Sequence, residues 1–186
     1  MTNRMFLIGM MGAGKSTIGA LLAEQLGWRH LDSDAEVQRL TGRTVPEIFA
    51  ADGEAAFRRH ESLVLAQATD CKSSVVVSVA GGAVLDSGNR ARLRKSGLVV
   101  WLRADVATLA SRVGDGAGRP LLGEDVSAAL SRLYEQRRPL YEELAQVTVD
   151  VDGLLPEQAA VLIMHRAPVG SRQATRQATR QARDAR

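Results

Sequence analysis

The chain holds one cysteine among 186 residues, Cys71, so no internal disulfide can staple it. That usage fits a reducing compartment, and with no motif around it Cys71 reads as a packed or surface thiol. No apolar run is long enough to span a bilayer, and the first residues show no export pattern. A cytoplasmic protein is expected. The guanine-reading pattern Asn-Lys-x-Asp is missing too, which sets aside GTPases of the common kind. The body of the chain also lacks a charge excess. An isoelectric point near 9.5 suggests a nucleic-acid binder. Yet residues 167–186 carry five arginines against one aspartate, a net +4 in a chain totalling +3, which leaves residues 1–166 at −1. The basic segment repeats Arg-Gln-Ala-Thr, has little apolar surface to bury and no aromatic ring to stack on a base. A disordered tail is expected there, and nucleic acid is not its expected partner.

What remains is a body of ordinary composition. The chain is 45% hydrophobic and 24% charged, and residues 1–166 suffice for one domain with a sizeable core. Apolar runs alternate with helical patterns, the signature of an α/β fold with a mostly parallel sheet. Strands are predicted at Met5–Ile8, Arg29–Leu31, Val75–Val79, Leu98–Leu102 and Val147–Val151. The third and fourth are nearly unbroken apolar runs, as strands buried on both faces require. A first helix should end at Leu26-Gly27. Another covers Ala35–Leu40. The capping box Thr44-Val45-Pro46-Glu47 opens a helix to about Ala51, followed by one over Glu54–Ala68. A long helix over Val126–Leu144 should be kinked or interrupted by Pro139. Four glycines within 114–123 predict a mobile loop.

The strongest motif is Gly9-Met-Met-Gly-Ala-Gly-Lys-Ser-Thr17, a G-x-x-x-x-G-K-[ST] loop between a strand and a helix. Its glycines let successive N–H groups point at phosphate oxygens, and the helix adds its positive end. Lys15 is placed to neutralise β- and γ-phosphates, and Ser16 to hold Mg²⁺. The loop implies a nucleoside triphosphate. It leaves kinase and ATPase both open.

Other residues bear on the second substrate. Asp32 and Asp34 follow a strand end, where ligands bind in open α/β sheets. One can serve the metal and the other a hydroxyl, or Asp32 can simply cap a helix. Arg58 either grips a carboxylate or sits on a solvated face. His60 reads as a surface or packing residue. Gly81-Gly82 is either a plain turn or a backbone that another group approaches closely. Arg119 on the glycine-rich loop could swing onto a transferring phosphoryl group, and Arg137 stands on the late helix.

Together these pieces resemble the shikimate kinase family, small P-loop kinases of the nucleoside-monophosphate-kinase type. The resemblance covers nearly all of residues 4–152. It rests on the P-loop, on Leu31-Asp-Ser-Asp34, and on the stretch from Thr41 to Glu61. Gly81-Gly82, Arg119-Pro-Leu-Leu122 and Arg137-Arg-Pro-Leu-Tyr141 complete it.

The resemblance implies a three-layer α/β/α fold with a five-stranded parallel sheet ordered 2-3-1-4-5. It implies ATP-dependent phosphorylation of the 3-hydroxyl of shikimate by a monomer. By position, Gly12, Ala13, Gly14, Lys15, Ser16, Thr17, Arg112 and Arg119 would bind ATP, with Arg112 packed on adenine. Lys15 and Arg119 would stabilise the phosphoryl group, and Ser16 and Asp32 would hold Mg²⁺. Asp34 would bind the attacking hydroxyl. Arg58 and Arg137 would bind the substrate carboxylate over a floor of Gly81 and Gly82. Substrate-binding helices would span about 33–61 and a lid about 114–124.

Two positions depart from the family pattern. Ala80 stands where a third glycine is usual, and it should keep ordinary β dihedrals. No arginine follows the last strand to make a second adenine contact. A gluconate-type kinase and a nucleotide-binding protein without catalysis are the alternatives.

Overall fold

The five apolar runs become five strands in the computed structural model, which describes residues 3–123 and 125–167. They are β1 (Arg4–Ile8), β2 (Arg29–Asp32), β3 (Val75–Ser78), β4 (Leu98–Arg103) and β5 (Val147–Asp150). All pair in parallel, in the order β2-β3-β1-β4-β5. The central strands explain the unbroken apolar runs: Met5 to Ile8 and Leu98 to Leu102 are buried on both faces of the sheet. Because every strand runs the same way, the carboxyl ends of β1, β2 and β3 lie side by side. Ser78 is in register with Leu7 on one side and Asp32 on the other.

Helices cover the sheet: α1 (Lys15–Leu26), α2 (Ser33–Thr41), α3 (Val45–Asp70), α4 (Ser87–Ser96), α5 (Val106–Val113), α6 (Val126–Leu144) and α7 (Pro156–Arg166). Their ends follow local chemistry. Gly27, at φ 65°, closes α1 with its N–H on the carbonyls of Ala23 and Glu24. The Thr44–Glu47 capping box opens α3. The two helices expected on either side of residue 53 are joined end to end, with Gly53 breaking α3 at φ 76°, ψ 171°. Of the kink or interruption expected at Pro139, the interruption does not occur, and α6 runs through it. Pro139 removes one N–H donor, but Leu133, Arg137, Tyr141 and Leu144 bury one face of the helix on both sides of it.

Two hydrophobic clusters result. The larger surrounds the sheet and includes Trp101, whose ring centroid lies 5.8 Å from that of Tyr141. The smaller joins α2 to both halves of α3 through Val37, Ile48, Phe57 and Val64, with Phe49 packed against it. One boundary in the sequence reading is corrected at the end of the body. Ala167 was assigned to the tail but is only 7% exposed and belongs to the larger cluster. The rest of the tail, 168–186, lies outside the described residues.

Candidate functional site

The phosphate loop is shaped by three left-handed glycines, Gly9, Gly12 and Gly14, at φ 142°, 82° and 88°. A side chain at any of them would be strained. Gly14 sits immediately before Lys15, so the free N–H groups at the start of α1 face the loop. The Lys15 ammonium donates to the carbonyl oxygens of Gly9 at 3.0 Å and Met10 at 2.9 Å. Burial pushes its pKa down to about 8, against the pull of Asp34 and Asp32. Beneath the first turn, the Ser78 hydroxyl donates to the Lys15 carbonyl at 2.8 Å and lies 3.0 Å from His30 Nε2. Ser78 has spent its one proton, so the His30 ring nitrogen is the donor of that second bond.

At the end of β2, Asp32 caps α2 and also reaches the phosphate-loop helix. Its Oδ1 accepts the N–H groups of Asp34 at 3.0 Å and Ala35 at 3.2 Å, which caps α2. Its Oδ2 accepts from the Ser16 hydroxyl. These are adjacent hard oxygens, one on the phosphate-loop helix and one carboxylate. That donor set suits Mg²⁺, which takes one or two protein oxygens and keeps the rest of its shell for phosphate and water. Asp34, in the first turn of α2, faces the same cleft. Burial raises its pKa, opposed chiefly by Lys15.

The far end of the cleft is built from α3, α6 and the turn after β3. The Arg58 guanidinium donates to Glu61 at 2.6 Å and to Glu54 at 2.8 Å. It also packs directly on Gly82, where an added Cβ would sit 2.1 Å from Arg58 Nη1. Gly81 is tight but less crowded, with its own Cβ position 3.1 Å from the Gly9 carbonyl oxygen, 3.3 Å from Arg137 Nη1 and 3.4 Å from the Tyr141 hydroxyl. That hydroxyl donates to the Gly81 carbonyl at 2.8 Å. Neither glycine has positive φ, so both are needed for close approach, not for a special turn. Ala80 has ordinary negative φ, as expected from a strand just ending, and its N–H donates to Ser33 Oγ at 2.8 Å.

At the other end, Arg112 donates to the carbonyls of Val151 at 2.9 Å and Gly12 at 3.5 Å. Leu154, Pro156 and Ala159 form the wall there. Where a second arginine was missed, Asp152 accepts the Asp105 N–H through both carboxylate oxygens, at 3.1 and 3.2 Å, and so ties the segment down. Arg119 lies exposed on the 114–123 loop, which is pinned to the body by buried Leu122.

All of these residues line one cleft of about 750 Å³: Gly12, Ala13, Gly14, Lys15, Ser16, Thr17, Asp32, Asp34, Arg58, Gly81, Gly82, Arg112, Arg119 and Arg137. The cleft also contains residues the sequence reading passed over. Glu61, Phe49 and Phe57 line it, and Tyr141 backs it. Glu61 enters the sequence reading only as the last residue of the Thr41–Glu61 stretch, and only its burial at 2% exposure distinguishes it from a surface residue.

Known proteins are similar to this chain along most of its length. A family model described as shikimate kinase matches residues 11–167. A shikimate kinase of Thiobacillus denitrificans is 46% identical over 149 residues, covering 80% of this chain and 81% of that protein. One of Nitrosospira multiformis is 40% identical over 172 residues, covering 92% of this chain and 88% of its own. Among solved structures, a shikimate kinase from Acinetobacter baumannii in complex with shikimate superposes with a TM-score of 0.85 at 39% identity. That match covers 87% of this chain and 90% of the other.

Proposed function

The chain belongs to the shikimate kinase family, and from that premise we propose how its cleft performs the reaction. The enzyme transfers the γ-phosphoryl group of ATP to the 3-hydroxyl of shikimate, giving 3-phosphoshikimate and ADP. The observation that carries the assignment of roles is a single cleft with a phosphate loop at one end and half-buried Arg58 and buried Arg137 at the other. Asp34 stands between them.

ATP lies with its phosphates on the Gly9–Thr17 loop and its base between Arg112 and the Leu154–Pro156 wall. Lys15 leaves the carbonyls of Gly9 and Met10 for the β- and γ-phosphates, a better partner for a buried ammonium than two neutral oxygens. Shikimate places its carboxylate on Arg58 and Arg137 and its ring over Gly81 and Gly82. Its 3-hydroxyl then meets Asp34, which orients it and accepts its hydrogen bond. Ser16 and Asp32 would hold Mg²⁺, which would screen the charge on the phosphates. The 114–123 loop closes as a lid, bringing Arg119 onto the transferring group and excluding water. Rate enhancement comes mainly from positioning and charge neutralisation. Every side chain used comes from one chain, and we propose a monomer working in the cytoplasm.

The test is ADP release from purified protein with Mg-ATP and either shikimate or gluconate. Turnover with shikimate and none with gluconate is expected. The reverse result would refute the assignment, and no turnover with either would favour a binding protein without catalysis.

A further inference from the structure

Two side chains at the acid-binding end each hold a polar atom with no partner among the described residues: Glu61 Oε1 and Arg137 Nε. Both residues are only 2% exposed. A buried carboxylate with one idle oxygen is costly unless something offsets the charge or removes it. In the ligand-free protein, the offset comes from Arg58, which Glu61 Oε2 binds at 2.6 Å. Arg58 is already shared, because Glu54 takes its Nη2 at 2.8 Å.

A substrate carboxylate adds a third anion to this cluster. The charged and titratable groups facing Glu61 are Arg58 and Glu54 on α3, Arg137 and Tyr141 on α6, and Asp34 on α2. Two guanidiniums then serve three carboxylates, with Asp34 close by. Glu54 is 49% exposed at its side chain and can turn to water. Glu61, 1% exposed at its side chain, cannot.

We propose that the arriving carboxylate displaces Glu61 as the main partner of Arg58 and drives a solvent proton onto Glu61, so that binding of the acid substrate takes up a proton. This rests on the assignment of shikimate to this end of the cleft. One O–H bond forms, on the carboxylate oxygen without a partner, and nothing is oxidised or reduced. Glu61 is thus a positioning residue with two states. When charged it holds Arg58 in place in the empty site. When neutral it releases the guanidinium fully to the substrate. Burial has already raised the Glu61 pKa to about 7 in the empty site, so a nearby anion moves it upward through the neutral range.

The sign follows from linkage. The complex binds more protons than the free enzyme between about pH 7 and the higher pKa of the complex, so affinity falls as pH rises through that window and is flat below it. The experiment is calorimetric titration of shikimate into the full-length enzyme without nucleotide, from pH 6 to 8.5, in two buffers of different ionisation enthalpy. Uptake of roughly half a proton near pH 7.5 is expected, with a dissociation constant about five- to tenfold weaker at pH 8.5 than at pH 7. Glu61→Gln should abolish the buffer dependence and flatten the profile, whereas Glu54→Gln should retain both. Binding by the wild-type enzyme with no buffer dependence and a flat profile overturns the proposal, even if Glu61→Gln fails to fold. Uptake that survives in Glu61→Gln also overturns it, by assigning the proton to Asp34 or Lys15. No binding of shikimate at all would instead refute the assigned activity.

Discussion

Lys15 shows what a binding residue costs the fold that carries it. Its ammonium is buried, and its pKa has fallen from 10.5 to about 8. The unfolded chain therefore binds that proton more tightly than the native one. The penalty is fully present below pH 8 and fades between pH 8 and 10.5, with a size of about 3 kcal/mol at most. Lys15→Met should accordingly abolish ADP release and yet stabilise the ligand-free protein by about 1–3 kcal/mol in urea unfolding at pH 7. A less stable Lys15→Met protein would show that the bonds to Gly9 and Met10 outweigh burial. Asp34→Asn keeps the size of the side chain and the cap made by Asp32, so it should leave the fold intact. It should remove turnover while shikimate still binds. Turnover close to wild type would mean that no carboxylate is needed at the reacting hydroxyl.

At the scale of elements, the site depends on how closely they pack. Alanine is favoured over glycine inside a helix by about 1 kcal/mol, so Gly19→Ala in α1 would ordinarily stabilise. Here the new Cβ would lie 2.6 Å from Ser78 Oγ and 2.7 Å from His30 Nε2, two atoms held by their own hydrogen bonds. Overpacking of that kind costs about 1–3 kcal/mol, and a net loss of stability is expected by urea titration. Gly82→Ala should push Arg58 off the turn. Because a charge-assisted hydrogen bond is worth about 1.5–3 kcal/mol, the KM for shikimate should rise about tenfold or more while that for ATP stays put. An equal rise in both would place the damage in the phosphate loop instead. The same packing explains what could be read in the sequence. The phosphate loop, the Thr44–Glu47 cap and Gly27 are local chemistry, complete within a few residues, and each appears where it was expected. Helix α4 was not foreseen, because it buries only Asn89 and Leu93 and is otherwise polar. Helix α5 is clearly amphipathic but only eight residues long, about two turns in which to show it. Glu61 stands three residues after an arginine, the spacing of countless surface pairs. Its role depends on burial, which is set by α2, α6 and the turn after β3. Gly82 could be a plain turn or a closely approached backbone, and the Arg58 guanidinium seated on it makes it the second.

The molecule as a whole gathers its chemistry at the carboxyl edge of the sheet, and the charge total of the body agrees with that. Residues 1–166 are near neutral, so the arginines in the cleft act locally and do not make a general polyanion surface. Ala167 is buried, so a truncation meant to test the tail should end after it. Removing residues 168–186 is expected to leave Tm and turnover unchanged, and a loss of either would give the basic repeats a role in the enzyme. The two hydrophobic clusters have a further consequence. Arg58 rides on α3, which shares the smaller cluster, whereas Arg137 on α6 is set in the larger one. In the proposed complex a single carboxylate bonds to both, so the substrate is a fastener across the seam between clusters that α3 otherwise joins through buried Leu65 and Ala68. Shikimate alone should therefore slow amide exchange throughout α2 and the first half of α3, beyond the turns it touches at Asp34 and Arg58. A nucleotide, bound on one side of that seam, should not.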